Sequence, residues 1–198
     1  SCTMKHNPRL NEKMARLPGL VDLHPLQPIS TIQGALAIIR QLSDWLQQLT
    51  GMAAVAMSPA AGAHGELCGM MSIQAALRDR NEKRNRVLVP ESAHGTNPAT
   101  ASACGFQVDS VPATAKGIMD IDIFRSKLGP DVAAIMITNP NTCGLFETDI
   151  VQIAKDIHEA GGYLYCDGAN FNAIVGRVRP GDLGIDCMHI NLHKTFST

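Results

Sequence analysis

Gly162-Tyr-Leu-Tyr-Cys166 runs straight into Asp167-Gly168-Ala169-Asn170, and Cys187-Met-His-Ile190 runs into Asn191-Leu192-His193-Lys194-Thr195. Each is a short run of strand formers; the first stops at an aspartate, and the second stops just before a lysine. Further upstream, residues 132–137 are a continuous apolar run, the pattern of a strand covered on both faces. Residues 53–57, 86–90 and 106–111 read as three more strands. Helices are expected between them, at about 65–80, from Asn97 to a stop at Gly105, at 120–128 and at 148–160. Asn97 with Pro98 suits a cap and first-turn pair, and Thr148 suits a cap with Gly161 beyond the far end. This alternation predicts an α/β fold of three layers, a mostly parallel sheet wrapped by helices. In such sheets ligands sit at the carboxyl ends of the strands.

Before the first strand, Ile32, Leu36, Ile39, Leu42, Leu46 and Leu49 recur at helical spacing, and Gly51 is placed to stop the helix. Ser30 and Gln33 have the spacing of a capping box at its start. Residues 1–28 are rich in Pro, His and Asn and read as an arm leaning on another surface, with a short helix at 11–17. The expected organisation is therefore an arm, 1–28, and one large domain, 29–198, incomplete at its C-terminal end. The chain opens Ser1-Cys-Thr-Met4 and stops four residues after Lys194, so both ends are expected to be cuts in a longer protein.

The 198 residues suffice for one core and are few for two domains. With 45% hydrophobic residues, 18% charged residues and a net charge of -1, nothing favours nucleic acid or an anionic membrane surface. No apolar run reaches the length of a membrane span, and no leader pattern opens the sequence. The six cysteines form no C-x-x-C pair, and several lie in apolar runs, where reduced buried thiols are expected. A reducing compartment, the cytoplasm, follows as the expected location.

The candidate site residues fall just after predicted strands. Pro59-Ala-Ala-Gly-Ala-His-Gly65 joins a strand to a helix with few side chains in the way, and its amides and the helix dipole suit a phosphate. An ordinary tight turn is the plainer reading of that loop. It matches neither a P-loop nor G-x-G-x-x-G. His94 could stack on a flat ring, act as a base, or simply hydrogen-bond within its loop. Thr138 could reach a ring hydroxyl, although Asn139-Pro140 is also a common turn starter. A zinc site from His189, His193 and a cysteine has no ligand spacing to support it. Together, a phosphate loop, a ring partner, an acid for a ring nitrogen and a lysine suit pyridoxal phosphate. That cofactor takes a Schiff-base lysine and an acid that keeps its pyridine nitrogen protonated.

These stretches also carry a family resemblance. SCTMKHNP, HPLQP, PAAGAHGELCGM, VPESAHGTNPA, AIMITNPNTCGLFE, CDGANFNAIVG, RPGDLGID and HINLHKTFST, which span the chain in order, resemble the glycine-cleavage P-proteins, the pyridoxal-phosphate glycine decarboxylases. The nearest likeness is to the C-terminal-half subunit of the two-chain form. The resemblance implies the aspartate-aminotransferase type of fold, Lys194 as the Schiff-base lysine and Asp167 on the pyridine nitrogen. It implies His94 on one ring face and Ala169 on the other. Gly62, Ala63 and His64 would lie at the phosphate, Thr138 near the ring hydroxyl, and His193 in support of the lysine or phosphate. Ser1, Cys2 and Thr3 would lie near the substrate mouth. It further implies glycine as substrate, the lipoylated H-protein as acceptor of the aminomethyl group, and a heterotetramer with the N-terminal-half subunit. The alternatives are another enzyme of the same fold type, such as an aminotransferase or desulfurase, and a non-catalytic partner subunit.

Overall fold

A computed structural model of the chain describes residues 8–196. Its strands are β1 (Arg86–Pro90), β2 (Gln107–Val111), β3 (Val132–Thr138), β4 (Tyr163–Gly168) and β5 (Cys187–Ile190). They form one sheet in the order β2-β1-β3-β4-β5, every pair parallel. The helices are α1 (Arg9–Ala15), α2 (Gln33–Thr50), α3 (Gly62–Asp79), α4 (Thr96–Ala103), α5 (Ile121–Lys127), α6 (Ile150–Glu159) and α7 (Leu192–Thr195).

Alternation along the strands sorts the core into two halves. Val87, Val89, Met136 and Tyr165 pack under Met70, Ile73 and Leu77 of α3 and Ala101 of α4. Leu88, Ile135, Ile137, Leu164 and Cys166 face the other way, against Phe124 of α5 and Ile150, Ile153 and Ile157 of α6. All seven residues of β3 are buried, so the continuous apolar run is the central strand of a three-layer sandwich. Register then sets the site. Thr138 pairs with Asp167, and Asp167 pairs with His189, so three polar residues form one row across the carboxyl ends of β3, β4 and β5.

Several local expectations are corrected. Residues 53–57 are not a strand: no partner among the described residues completes a ladder with them. A cavity of about 530 Å³ separates them from the outer edge of β5 and is lined on its two sides by Val55, Met57, Met188 and Ile190. The Ser30 capping box does not form. Pro28 leads into a tight 3-10 turn, Ile29–Thr31, which leaves Ile32 in the cap position of α2 and turns Gln33 Nε2 back to the Ile29 carbonyl. Gly51 does end that helix, in the left-handed region at φ 73°.

α3 begins three residues earlier than predicted, so Gly62, Ala63 and His64 are its first turn rather than a loop. α4 starts at Thr96, one residue before the proposed Asn97 cap, and this turns the Asn97 side chain inward. Asp149, not Thr148, occupies the cap position of α6, and neither end residue makes a side-chain capping bond there. α1 has no buried residue, and Leu36, Ile38, Ile39 and Trp45 of α2 are exposed.

Candidate active site

Asp167 ends the apolar stretch of β4 and is almost fully buried. A carboxylate at such a depth needs donors, and three reach it. The Ala169 amide donates to Oδ1 at 2.9 Å, Asn97 Nδ2 donates to Oδ2 at 3.0 Å, and His189 Nε2 lies 3.2 Å from Oδ1. A carboxylate accepts about four hydrogen bonds, so one acceptor site stays open on Oδ2. Gly168 carries no side chain because a Cβ there would run into the carbonyl of His189 on the neighbouring strand.

Behind Asp167 lies a second buried acid, Glu66 of α3. It accepts hydrogen bonds from Thr96 Oγ1 at 2.6 Å and Thr100 Oγ1 at 3.2 Å, both on α4. The Thr96 hydroxyl also lies 2.8 Å from His94 Nδ1, and the Thr96 amide donates to the same nitrogen. The exposed His94 ring is thus held at Nδ1 by Thr96.

α3 is held against β5 at close range. A Cβ on Gly62 would come within 2.5 Å of Asn191 Nδ2, and one on Gly65 within 2.7 Å of His189 Cβ. The amides of Gly62, Ala63 and His64 are in the first turn and have no acceptor within the helix, since the cap residue Ala61 offers no side-chain oxygen. They form an anion-binding end. Lys194 is half-buried on α7, one turn past β5, with its amide bonded to the Asn191 carbonyl. No side-chain partner for its ammonium is found among the described residues. His193 lines the cavity beside β5.

The structure therefore brings Asp167, Thr138 and Ala169 together at the strand ends, with Gly62 beside Asn191 and Lys194 just beyond β5. Ser1, Cys2 and Thr3 lie outside the described residues. Sequence reasoning missed Glu66, Tyr165 and the inward roles of Asn97 and His189. The spacing Gly62, Gly65, Gly69, a small-residue stripe on one helix face, was the signal for the close approach of α3 to Asn191, His189 and Tyr165. His189, His193 and a cysteine do not gather into a zinc arrangement among the described residues. Among the described residues, the three potential metal ligands gathered within 4.8 Å of one another are Glu66, Asp167 and His189. Burial pushes the Cys166 thiol up to about 12 and the Cys187 thiol up to about 11, so both stay protonated near neutral pH and are poor nucleophiles.

The donor set fits pyridoxal phosphate. Thr138 Oγ1 is buried with no hydrogen-bond partner among the described residues, as are Asn170 Oδ1 and Asn191 Oδ1. Such groups are costly unless something pairs with them. Free helix amides suit the phosphate, the Thr138 hydroxyl suits the ring oxygen, the open site on Asp167 suits a ring N–H, and Lys194 supplies an amine.

A wholly parallel three-layer sheet with this acid and this lysine past its strand ends defines a cofactor-binding domain of the pyridoxal-phosphate-dependent transferase type. The chain belongs to the aminotransferase class-V family, which it matches over residues 66–198. It is 67% identical to the probable glycine dehydrogenase (decarboxylating) subunit 2 of Caulobacter vibrioides, covering all of this chain and 38% of that protein. It is 58% identical to the protein of the same name from Exiguobacterium sibiricum, covering 40% of it. The chain thus spans about two fifths of the length of these relatives. Among solved structures it resembles a NifS-like protein, with a TM-score of 0.76 at 13% identity over 98% of this chain and 54% of the other. It also resembles the sphingosine-1-phosphate lyase of Burkholderia pseudomallei, with a TM-score of 0.71 at 17% identity over 97% and 49%. At such identities the likeness is one of fold.

Proposed function

We propose that this chain is the cofactor-holding segment of a glycine decarboxylase of the glycine cleavage system, corresponding to the second subunit of a two-chain P-protein. The observation that carries the reading is Asp167, buried at the end of β4, held by three donors and left with one acceptor site open. The shared name of its relatives directs the reading to glycine. Within the segment, 1–28 serve as an arm and 29–198 as part of the large cofactor domain.

Bound pyridoxal phosphate would supply an electron sink for the carbanion left when a substrate carboxylate departs as carbon dioxide. The chain's own residues prepare that chemistry. Asp167 would hold a proton on the ring nitrogen, and the first turn of α3 with Gly62, Ala63 and His64 would anchor the phosphate. Thr138 would donate to or accept from the ring oxygen, and Ala169 would lie against one ring face. His94, its inner edge pinned by Thr96, would pack on the other face. Lys194 would hold the cofactor through its amine and could move a proton there, with His193 alongside. The aminomethyl group would pass to the oxidised lipoyl arm of the H-protein, one sulfur of the opened disulfide taking the carbon and the other leaving as a thiol, and the N-terminal-half subunit would complete a heterotetramer. The five described cysteines are free thiols, which suits a reducing cytoplasm. No helix among the described residues is long and apolar enough to cross a membrane.

The test uses the full-length subunit with its partner subunit. Borohydride reduction should attach the cofactor to Lys194, and carboxyl-labelled glycine should release carbon dioxide when lipoylated carrier is present. Label on another lysine, or turnover of cysteine or an α-keto acid pair in place of glycine, overturns the reading.

A further inference from the structure

His189 is buried in the sheet's last strand, one ladder position across from Asp167. Its Nδ1 lies 2.6 Å from the Tyr165 hydroxyl, and its Nε2 lies 3.2 Å from Asp167 Oδ1. Tyr165 is fully buried, two residues before Asp167 and so on the same side of β4. Burial, with the Asp167 charge next in importance, pushes its phenol far above the usual range, so the hydroxyl keeps its proton. Among the described residues, His189 Nδ1 is the acceptor that the hydroxyl reaches. A nitrogen that accepts there leaves the ring proton on Nε2, pointed at the carboxylate. Gly65 and Gly69 of α3 fix the pair sterically. A Cβ on Gly65 would meet His189 Cβ at 2.7 Å, and one on Gly69 would meet the Tyr165 ring at 2.6 Å.

The same cluster contains Glu66, whose donors are the two neutral hydroxyls of Thr96 and Thr100.

We propose that Tyr165 and His189 form a positioning pair that fixes one imidazole tautomer, aims its N–H at Asp167 and so holds that carboxylate turned toward the cofactor ring nitrogen. The proposal rests on the reading of Asp167 as the ring-nitrogen partner. His189 acts through Asp167 and touches no reacting atom. Without that N–H the carboxylate would be free to turn from the ring nitrogen, and the hydrogen bond that keeps the ring protonated would weaken.

The experiment uses the full-length subunit with its partner, loaded with pyridoxal phosphate labelled with ¹⁵N in the ring. The wild type should give the ¹⁵N shift of a protonated pyridine. His189→Leu should move that shift toward the unprotonated value and weaken cofactor retention about 10- to 100-fold, the range for a hydrogen bond to a charged group. His189→Gln places an amide N–H where Nε2 was and should restore the shift. His189→Asn reaches only the Nδ1 position and should behave like His189→Leu, which keeps the test decisive where the leucine variant fails to fold. Tyr165→Phe should shift the signal part of the way. An unchanged ring shift in His189→Asn, or in His189→Leu where it folds, overturns the positioning role while leaving the cofactor reading intact. A wild type that retains no cofactor overturns that reading, and this proposal with it.

Discussion

Asn97 Nδ2 donates to Asp167 Oδ2 at 3.0 Å, tying the first turn of α4 to the end of β4 across seventy positions of sequence. Asn97 is completely buried, and it reaches Asp167 because α4 starts at Thr96, which places its side chain on the sheet side of the first turn. Removing it with Asn97→Ala leaves a buried carboxylate with two donors instead of three. The expected loss is about 1–3 kcal/mol of folding stability. Asn97→Asp sets a like charge against Asp167 and should be worse than the alanine. Urea unfolding of the full-length chain at neutral pH ranks the three proteins, and an aspartate variant as stable as the wild type would refute the pairing.

At the opposite, amino-terminal end of the sheet, Arg86 binds Asp109 of β2 and Asp131 ahead of β3, and Lys127 also bonds to Asp109. Burial pulls the Asp109 carboxyl upward, but hydrogen bonds and charge from Lys127 and Arg86 outweigh it and hold it below the ordinary range. A carboxyl depressed in the folded state adds stability above its unfolded value, and that stability drains as pH falls through the folded value. Asp109→Asn should therefore cost about 1 kcal/mol near pH 7, discounted for partial exposure. The gap from wild type should close below about pH 4. Unfolding curves across that interval test it, and a gap that stays constant with pH means that Asp109 contributes by shape alone. Cofactor retention should be unaffected, since the cluster lies away from the strand ends that carry the site.

Two helix glycines should respond in opposite directions to the same change. On α2, a Cβ at Gly34 meets nothing within 4 Å, so Gly34→Ala should stabilise by up to about 1 kcal/mol through helix propensity. On α3, a Cβ at Gly69 meets the rigid, buried Tyr165 ring at 2.6 Å and Cys187 Sγ at 2.9 Å. Overpacking of that kind costs about 1–3 kcal/mol, which exceeds the propensity gain. Gly69→Ala should lower the melting temperature while Gly34→Ala raises it.

The same contrast explains what was legible in the sequence. Periodicity and apolar runs recovered β1 and β5 at their observed bounds and the remaining strands to within one or two residues, because burial on both sheet faces leaves a strong one-dimensional pattern. Residues 53–57 carry a strand's composition without being one, since a strand is defined by its ladder and composition is blind to the neighbour. The caps at Ser30, Asn97 and Thr148 failed because local spacing does not record a shift of one or two residues in where a helix begins. Asp167 and Thr138 were legible as residues that follow strands. Glu66, Tyr165 and His189 were not, because each is polar within a buried face, and only the register of three strands and the glycine stripe of α3 bring them to Asp167.

Thr138 gives the last prediction. Its hydroxyl is buried at the end of β3, beside Asp167 in register, and has no hydrogen-bond partner among the described residues. A buried hydroxyl with nothing to bond destabilises the fold, and exchanging it for a methyl group of similar shape removes that penalty. Thr138→Val should leave the cofactor-free protein as stable as the wild type, or up to about 1 kcal/mol more stable. If Thr138 serves the ring oxygen of the cofactor, the same variant should retain pyridoxal phosphate about 2- to 10-fold less tightly, the scale of one neutral hydrogen bond. Calorimetric melting of the stripped protein and equilibrium dialysis of the cofactor read the two effects separately. A variant that melts well below the wild type when stripped has lost a partner within the fold, and the hydroxyl is then structural. A variant unchanged in both measurements removes Thr138 from the site.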